Sequence, residues 1–454
     1  MLAVAEYMET RAQGEPRTLV VGLGVTGLSC ARFLARRGVE VAVTDSREQP
    51  PAVDVIRTEL PDVALFLGGF DADIFARAER LVVSPGVSLQ EPLIAAARQR
   101  GVEVIGDIEL FARAVAAPVV GITGSNGKST VTTLVGEMAR QAGRQVRVGG
   151  NLGTPALDLI GDSEPDLYVL ELSSFQLESV TSLHCRAAVV LNISPDHLDR
   201  YAGLADYIGA KQRIYAGAAV QVLNRDDATA ASLGMAAGAR ISFGLDAPTD
   251  DNFGILDNGA GAWIVRGRER WMPVSHLRIA GRHNLSNTLA ALALGEAAGL
   301  PQQSMLQVLR EFQGLPHRTQ WVAERGGVAW YNDSKGTNIG ATLAAVQGFD
   351  APVVLIAGGQ GKGADFAELA EGLRGRVRAL VLIGEAAGQI ANAVGTALPV
   401  EHATSMREAV ARAAALANSG DIVLLSPACA SFDMFDNYRH RGDVFMQAVE
   451  ELPS

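Results

Sequence analysis

The amino-acid sequence predicts an α/β protein of three domains, each built around a mostly parallel sheet. Short β-branched runs alternate with helix-like apolar patterns along the 454 residues, which is the rhythm of βαβ units. The predicted strands lack polar alternation, and this indicates sheets that are covered on both faces. Glycine-rich or polar segments follow several strands, at the edge where such sheets bind ligands. A prior of roughly 150 residues per domain agrees with three domains.

We place these domains at residues 1–107, 108–313 and 314–454. The first is predicted to be Rossmann-like. The second is predicted to be a P-loop-type ATPase sheet with a small β insert from Trp263 to Val274. The third repeats the α/β rhythm and is predicted to be Rossmann-like again.

Composition narrows the function classes. A hydrophobic content of 48% with 20% charged residues is ordinary for a globular protein, and a net charge of −11 argues against nucleic acid as a partner. Acidic residues among the first eleven argue against an export signal. The longest helix-like apolar run, Leu289 to Leu300, is too short for a membrane span. The three widely spaced cysteines suit a reducing compartment. We therefore expect a cytoplasmic protein that binds neither membrane nor nucleic acid.

The N-terminal domain carries a glycine fingerprint. Gly22, Gly24 and Gly27 stand in G-x-G-x-x-G spacing directly after a predicted strand, and a helical pattern follows. Asp45 comes 18 residues after Gly27, close to where an acidic residue takes a ribose hydroxyl in dinucleotide-binding folds. Ser84–Gly86 is a second strand-end loop. The fingerprint predicts a nucleotide ligand, either NAD or another diphosphate nucleotide.

The central domain opens with a predicted phosphate loop, Gly121–Thr130, between an apolar strand and a helix. Backbone N–H groups of such a loop point at the anion, Lys128 adds positive charge, and Ser129 or Thr130 offers a hydroxyl to Mg²⁺. The strict Walker A spacing fails because Ile122 stands where glycine is required. The context still predicts a nucleoside triphosphate site, with a glycine-rich turn and an incidental lysine as the alternative.

Further polar residues follow later strands of the central domain. Glu171 and His197 end strand segments on the expected ligand side, so we interpret them as metal ligands. The alternative is a capping carboxylate and a loop histidine. Asn284 and Asn287, three residues apart, share one helix face. Their spacing is compatible with purine contact and equally with helix capping.

The C-terminal domain shows the same arrangement. Three polar or glycine-rich segments, Asn332–Asn338, Gly358–Gly363 and Ser426–Asp433, each follow a predicted strand. Parallel strands bring their carboxyl ends to one edge of a sheet. These segments therefore predict a single rim that faces a ligand.

Taken together, these strings resemble the Mur ligases, and the resemblance covers nearly the whole chain. The matching motifs are Gly121–Thr130, Glu171–Glu178, Asp196–Arg200, Ala210–Tyr215, Asn332–Asn338 and Leu425–Ser431. The resemblance implies an ATP-dependent enzyme that adds glutamate to UDP-N-acetylmuramoyl-L-alanine through an acyl phosphate, a cytoplasmic step of peptidoglycan synthesis. It implies a monomer, and a fingerprint that binds UDP, not NAD. The chirality of the glutamate and the group that accepts its proton stay open.

The resemblance also assigns residues. The UDP-containing substrate would contact Val25, Thr26, Asp45, Ser46, Arg47, Ser84, Pro85 and Gly86, with Asn151 at its muramoyl–alanine portion. ATP would contact Gly124, Asn126, Gly127, Lys128, Ser129, Thr130, Asn284, Asn287, Arg318 and Asp333. Glutamate would contact Lys335, Thr337, Lys362, Ser431, Phe432 and Tyr438. Two Mg²⁺ ions would be held by Ser129, Glu171, His197 and Lys211, the last as a carbamate. The catalytic residues would be Lys128, His197 and Lys211.

Lys211 is the least expected member of this set. On sequence alone it is a helix lysine, for which a solvated surface position is the default. The resemblance implies that CO₂ converts it to a carbamate that holds the second metal ion.

Three other functions compete with this interpretation. An NAD-dependent oxidoreductase would explain the glycine fingerprint and leave the phosphate loop unexplained. A P-loop switch or motor ATPase would leave the C-terminal rims unexplained. Another Mur ligase, or an amide ligase of the folylpolyglutamate synthetase type, would share the central domain.

Overall fold

Three separate sheets organise the chain, which confirms the predicted three-domain α/β architecture. The computed structural model describes residues 17–197, 200–257, 259, 261–279 and 281–452. The first eleven residues, on which the prediction of no export signal depends, lie outside the described part. No helix in that part is both long and apolar enough to cross a membrane.

The N-terminal sheet has five parallel strands in the order β3-β2-β1-β4-β5. The strands are β1 (Thr18–Val21), β2 (Val41–Asp45), β3 (Ala64–Leu67), β4 (Arg80–Val83) and β5 (Glu103–Ile105), and the helices are α1 (Val25–Arg36), α2 (Val53–Glu59), α3 (Ala72–Arg77) and α4 (Pro92–Gln99). The direction in which successive strands are added to the sheet reverses between β1 and β4, so the loops after these two parallel strands meet at the edge where open sheets bind ligands. A Cβ on Gly27 would lie 1.8 Å from the carbonyl oxygen of Gly22, so only glycine fits there.

The central sheet has nine strands in the order β14-β13-β12-β11-β10-β9-β6-β8-β7. The strands are β6 (Val119–Thr123), β7 (Val146–Gly150), β8 (Leu167–Glu171), β9 (Ala187–Val190), β10 (Val220–Asn224), β11 (Ala239–Phe243), β12 (Phe253–Asp257), β13 (Ala262–Arg266) and β14 (Glu269–Pro273). Strands β6 to β12 pair in parallel, and β12, β13 and β14 form an antiparallel meander. The predicted insert is therefore real but begins earlier, with β12.

The helices of this region are α5 (Asp107–Ala112), α6 (Lys128–Gln141), α7 (Ser174–Leu177), α8 (Leu204–Gln212), α9 (Ala228–Ser232), α10 (Arg282–Ala297) and α11 (Gln302–Glu311). Short 3₁₀ turns occur at Ala156–Leu159, Arg213–Tyr215 and Val274–His276. Helix α5 lies at the predicted boundary after residue 107. The boundaries at 107 and 313 stay predictions.

The C-terminal sheet has six strands in the order β15-β16-β20-β17-β18-β19, and only the β15–β16 pair is antiparallel. The strands are β15 (Gln320–Arg325), β16 (Val328–Asn332), β17 (Val353–Gly358), β18 (Val377–Ile383), β19 (Val400–His402) and β20 (Ile422–Leu425). The helices are α12 (Ile339–Gln347), α13 (Ala367–Gly372), α14 (Ala387–Val394), α15 (Met406–Leu416) and α16 (Tyr438–Glu450). The three predicted ligand segments follow β16, β17 and β20, which are neighbours in the sheet.

The buried side chains divide unequally among the domains. One apolar cluster joins Val20 and Val43 of the N-terminal sheet to Tyr168 and Leu170 of the central sheet. The two clusters of the C-terminal sheet contain only residues of that domain, from Ala323 onward. The first two domains therefore share a core, whereas the third has its own.

Candidate active site

The N-terminal cavity gathers the predicted UDP residues. It is lined by Val25, Thr26, Asp45, Ser46, Arg47, Ser84, Pro85 and Gly86, together with the fingerprint glycines, and measures about 380 Å³. The carboxylate of Asp45 accepts the backbone N–H of Leu23 at 2.7 Å and both guanidinium donors of Arg47 at 2.8 and 2.7 Å. Burial opposes ionisation of Asp45, but these hydrogen bonds outweigh it and lower its pKa. The aspartate thus holds the cavity wall and Arg47 in place.

The phosphate loop lies between the central and C-terminal domains. Gly127 adopts φ +83°, and Lys128 begins α6. The Lys128 ammonium donates to the carbonyl oxygens of Gly124 and Ser125 at 2.8 and 2.9 Å. Burial lowers the pKa of Lys128, while Glu171 and Asp196 oppose that shift. The lysine therefore folds back on its own loop, next to two carboxylates.

Lys211 is buried, so its surface interpretation is wrong. Only 2% of the residue is exposed, because α8 packs this face against the phosphate loop. Its Nζ donates to the carbonyl oxygen of Gly124 at 2.9 Å and lies 4.6 Å from the ring centre of Tyr207. Burial, followed by the charge of Lys128, holds the pKa of Lys211 well below its usual range. Two lysines therefore share one acceptor, and burial disfavours the charged form of the second.

Glu171 stands at the end of β8, in the same cavity as both lysines. Asn151 donates to its Oε1 at 2.7 Å, whereas Oε2 is buried and has no hydrogen-bond partner among the described residues. A buried carboxylate oxygen without a partner is costly, and a hard cation would satisfy it. The capping alternative for Glu171 is wrong, because Ser173 caps α7.

His197 lies in the same cavity, next to Asp196. Its φ of +56° is unusual for a residue other than glycine, as is common at functional sites. Within the described ranges, no group of three or more His, Cys, Asp or Glu side chains could hold a metal ion by itself. The oxygen donors of Glu171 and Ser129 suit Mg²⁺, and a nucleotide phosphate would complete its coordination. Leu198 and Asp199 of the same motif lie outside the described residues.

A second cavity of about 510 Å³ extends from the phosphate loop. It contains Asn126, Gly127, Thr130, Asn284, Asn287, Arg318 and Asp333 of the predicted ATP set. Helix α10 begins after Gly281, so Asn284 is not its cap and the capping alternative is wrong. Arg318 reaches across from the C-terminal side and donates to Ser129 Oγ at 2.6 Å. The predicted ATP residues therefore converge, and Gly124 takes part through its carbonyl oxygen.

The predicted glutamate residues converge on the cavity of the two lysines. Lys335, Thr337, Lys362, Ser431, Phe432 and Tyr438 all line it, as does Asn151. Lys335 lies 4.2 Å from the ring centre of Tyr438, and burial, with the charges of Arg318 and Lys128, lowers its pKa to about 8. Phe432 is 68% exposed. The structure thus places a cationic wall from the C-terminal domain opposite the phosphate loop.

Sequence reasoning missed several residues of this site. The cavity of the two lysines is also lined by Asp196, Ser173 and Phe175. Across it, Asn338 joins the C-terminal domain to the central domain. Arg441, buried in α16, donates to the carbonyl oxygens of Ser334, Cys429 and Ala430 and so ties two of the rim segments together. Asn338 carries a usable signal, since it immediately precedes a helix. A helix arginine such as Arg441 carries none.

A phosphate loop between the central and C-terminal domains, with a further cavity in the N-terminal domain, fits a three-domain ligase with a P-loop-type centre. Models of protein families agree with each part. The chain matches the Mur ligase MurD-like N-terminal domain over residues 16–106, the Mur ligase middle domain over 122–295, and the Mur ligase glutamate ligase domain over 317–429. The chain belongs to the Mur ligase family. The oxidoreductase and switch-ATPase alternatives are therefore wrong.

Individual relatives span the whole chain. A protein of Nitrosococcus oceani is 56% identical over 439 residues, which cover 96% of this chain and 97% of that protein. One of Marinobacter nauticus is 54% identical over 439 residues and 96% and 98% of the two chains. Both are named UDP-N-acetylmuramoylalanine–D-glutamate ligase. A pseudomurein peptide ligase type C from Methanothermus fervidus shares the fold, with a TM-score of 0.61 at 18% identity over 97% of this chain and 100% of the other.

Proposed function

We propose that this chain forms an amide bond between D-glutamate and the alanyl carboxylate of UDP-N-acetylmuramoyl-L-alanine, with ATP as the energy source. One observation carries the proposal. The phosphate loop with Lys128, and Lys211 beside it, share one cavity with a cationic pocket of the C-terminal domain. That cavity would bring an ATP phosphate, a carboxylate and an incoming amino acid to the same place. The names of the relatives support the substrates, including the D-enantiomer.

The N-terminal cavity would hold the UDP part of the substrate, and Asn151 would position the alanyl end. Asp45 is already occupied by Arg47 and the Leu23 N–H, so it orients the wall of that cavity and is not available for a ribose diol. The guanidinium of Arg47 is half exposed and would meet the uridine or its phosphates.

The chemistry needs an activated carboxylate, because a carboxylate oxygen is a poor leaving group. The alanyl carboxylate attacks the γ-phosphorus of ATP, which forms a C–O–P acyl phosphate and releases ADP. Lys128 offsets charge on the transferred group, and Arg318 and the loop amides orient it. The glutamate amine then attacks the acyl carbon, passes through a tetrahedral intermediate, and expels inorganic phosphate. The ammonium of glutamate must first lose a proton, for which His197 and Asp196 are the nearby acceptors.

Glu171, His197, Ser129 and a carbamylated Lys211 would hold Mg²⁺, which would neutralise phosphate charge. The carbamate has a physical rationale in the buried lysine. A neutral amine adds to CO₂ and loses one proton, and the product is an anion in place of a buried base. Burial lowers the pKa of Lys211, which favours the neutral amine that this reaction needs. We further propose that the protein works in the cytoplasm as a monomer.

The cavity residues of the C-terminal domain would select glutamate. Lys335 and Lys362 supply positive charge, and Thr337 and Ser431 supply hydroxyls on the same cavity wall. A dicarboxylic amino acid matches this set, because two carboxylates need two cationic or hydrogen-bonding partners. A basic acceptor such as lysine would meet like charge.

The deciding experiment incubates the pure chain with ATP, UDP-N-acetylmuramoyl-L-alanine and single amino acids. Phosphate release and the mass of the UDP-linked product are measured in the same reaction. D-Glutamate is expected to give a stoichiometric amide, with L-glutamate, meso-diaminopimelate and L-alanine far slower. Turnover with UDP-N-acetylmuramate and L-alanine, or with a folate, would assign the chain to a sister ligase and contradict the proposal.

A further inference from the structure

The start of helix α12 (Ile339–Gln347) contacts the phosphate loop directly, although the two belong to different domains. Asn338 precedes this helix, and its Oδ1 accepts the Ala341 N–H at 2.8 Å, which caps the helix. Its Nδ2 donates to Asn126 Oδ1 and to Asp196 Oδ2, both at 3.3 Å. One side chain thus caps a helix of the C-terminal domain and binds two residues of the central domain.

The Asn126 end of this contact is rigid. Asn192, at the end of β9, accepts the backbone N–H of Asn126 at 2.8 Å and donates to its carbonyl oxygen at 3.1 Å. The amide of Asn192 therefore holds the tip of the phosphate loop from both sides. The side chain of Asn126 projects toward Asn338 from a backbone that does not need to rearrange.

Close packing accompanies the hydrogen bonds. A Cβ added to Gly340, the second residue of α12, would lie 2.9 Å from Ser194 Oγ and 3.0 Å from Ser194 Cβ. Ser194 is hydrogen-bonded to Ser125 of the phosphate loop. The glycine lets the start of the helix approach Ser194 more closely than a residue with a Cβ could without a shift.

We propose that Asn338 is a positioning residue that couples docking of the C-terminal domain to the phosphate loop, with Gly340 providing the clearance. The proposal rests on the ligase function above and deepens it. Asn338 directly follows Thr337 of the glutamate pocket, so its contacts connect that pocket to Asn126 and Asp196. Docked, this contact keeps water away from the acyl phosphate until the amine attacks. Undocked, the acyl phosphate is exposed to hydrolysis.

The variant Asn338→Ser tests the chemical part. Serine still accepts the Ala341 N–H, so the helix cap remains, but it is too short to reach Asn126 or Asp196. We expect kcat/KM for glutamate to fall about tenfold, as loss of two polar contacts implies. The ratio of phosphate released to amide formed should rise clearly above the wild-type value, while the KM for ATP changes little. Ser405→Ala, which removes the cap of the distant helix α15 (Met406–Leu416), is the matched control.

The variant Gly340→Ala tests the steric part and keeps Asn338 intact. It should also raise the ratio of phosphate to amide, whereas Gly388→Ala, at a helix position with open space around it, should not. The proposal is overturned if both variants keep the wild-type ratio, if phosphate release and amide formation fall in parallel, or if the controls behave like the variants. Wild-type protein that forms no amide would instead contradict the ligase function itself.

Discussion

The two domain junctions of this protein are built from different materials. Between the N-terminal and central domains lies a continuous apolar core, in which the rings of Phe111 and Tyr168 meet edge to face at 5.0 Å. Between the central and C-terminal domains the described contacts include polar bridges such as Arg318 to Ser129 at 2.6 Å. Apolar burial is hard to undo, whereas polar contacts exchange readily with water. The comparison indicates that the first two domains form one fixed platform and that the C-terminal domain is the more separable one.

The substitution Phe111→Ala, which has the largest expected effect, tests whether the N-terminal and central domains share one cooperative core. Phe111 is fully buried, so the cavity left by its ring should cost about 3–5 kcal/mol of unfolding free energy. The N-terminal and central domains should lose stability together. Hydrogen exchange measured during a urea titration should show both domains unfolding in one transition. Phe445→Ala, equally buried in a C-terminal cluster, is the control and should affect only that domain. If Phe111→Ala destabilises the N-terminal domain alone, the shared core is not cooperative.

Lys128→Ala tests the phosphate loop, which lies at the polar junction between the central and C-terminal domains. We expect ligation to fall by about a hundredfold or more, because a well-placed cation is worth roughly 3 kcal/mol in such transition states. The urea midpoint should hardly change, since the hydrogen bonds of the ammonium within the described residues go to two carbonyl oxygens of its own loop. Steady-state turnover beside a urea titration measures both. A folded variant with wild-type turnover would show that the phosphate site is elsewhere.

Lys211→Ala sharpens the assignment of the buried lysine. Loss of the proposed carbamate should lower activity by about a hundredfold, in line with removal of one charged group from a buried site. Acetate or formate should partly restore turnover, since a small carboxylate fits the vacated space, and Lys211→Arg should not be restored. Activity is assayed with and without added carboxylate in buffer depleted of CO₂. Near-normal activity of Lys211→Ala in that buffer would make the lysine purely structural.

Arg47→Ala tests whether the N-terminal cavity and the ATP cavity bind their ligands independently. It removes two hydrogen bonds from Asp45 and the half-exposed cation of the N-terminal cavity. Calorimetric titration should show about tenfold weaker binding of UDP-N-acetylmuramoyl-L-alanine, the expected loss for one exposed charge-assisted contact. ATP affinity should stay within error, because its proposed cavity lies between the central and C-terminal domains, away from the N-terminal cavity. An equal loss for ATP would show that the two sites are not separate.

Local patterns predicted most of the fold and much of the candidate site. A strand, a glycine-rich turn and a helix are adjacent in sequence, so Gly127 and Lys128 could be recognised without knowing any partner. The order of strands in the sheet then brings together loops such as those of Asp333 and Ser431. The sequence predicted that both loops directly follow strands.

Residues that depend on distant packing were not predictable in this way. Helical periodicity does not say which face of α8 (Leu204–Gln212) is covered, because the covering group, Gly124, lies 87 residues earlier than Lys211. Asn338 and Asn126 are separated by 212 residues, and their amides pair only once two domains dock. Arg441 looks like a surface residue until the rim carbonyls around it are in place. The missing information is tertiary, not chemical.

The smallest expected effect concerns Cys429, which lies in the glutamate-side rim of the C-terminal domain. Burial raises the pKa of this thiol to about 12, so no thiolate is available at neutral pH. Its backbone carbonyl, not its sulfur, accepts two guanidinium N–H groups of Arg441, both at 3.2 Å.

Cys429→Ser leaves that carbonyl in place, and burying a hydroxyl should cost about 1–3 kcal/mol in stability. Since the pocket wall is held through backbone atoms, kcat/KM for glutamate should stay within about threefold of wild type. A loss beyond about tenfold in a folded variant would mean that the sulfur itself shapes the pocket. Inhibition by bulky thiol reagents would not discriminate, because a reagent attached there would block the amino-acid site in either case.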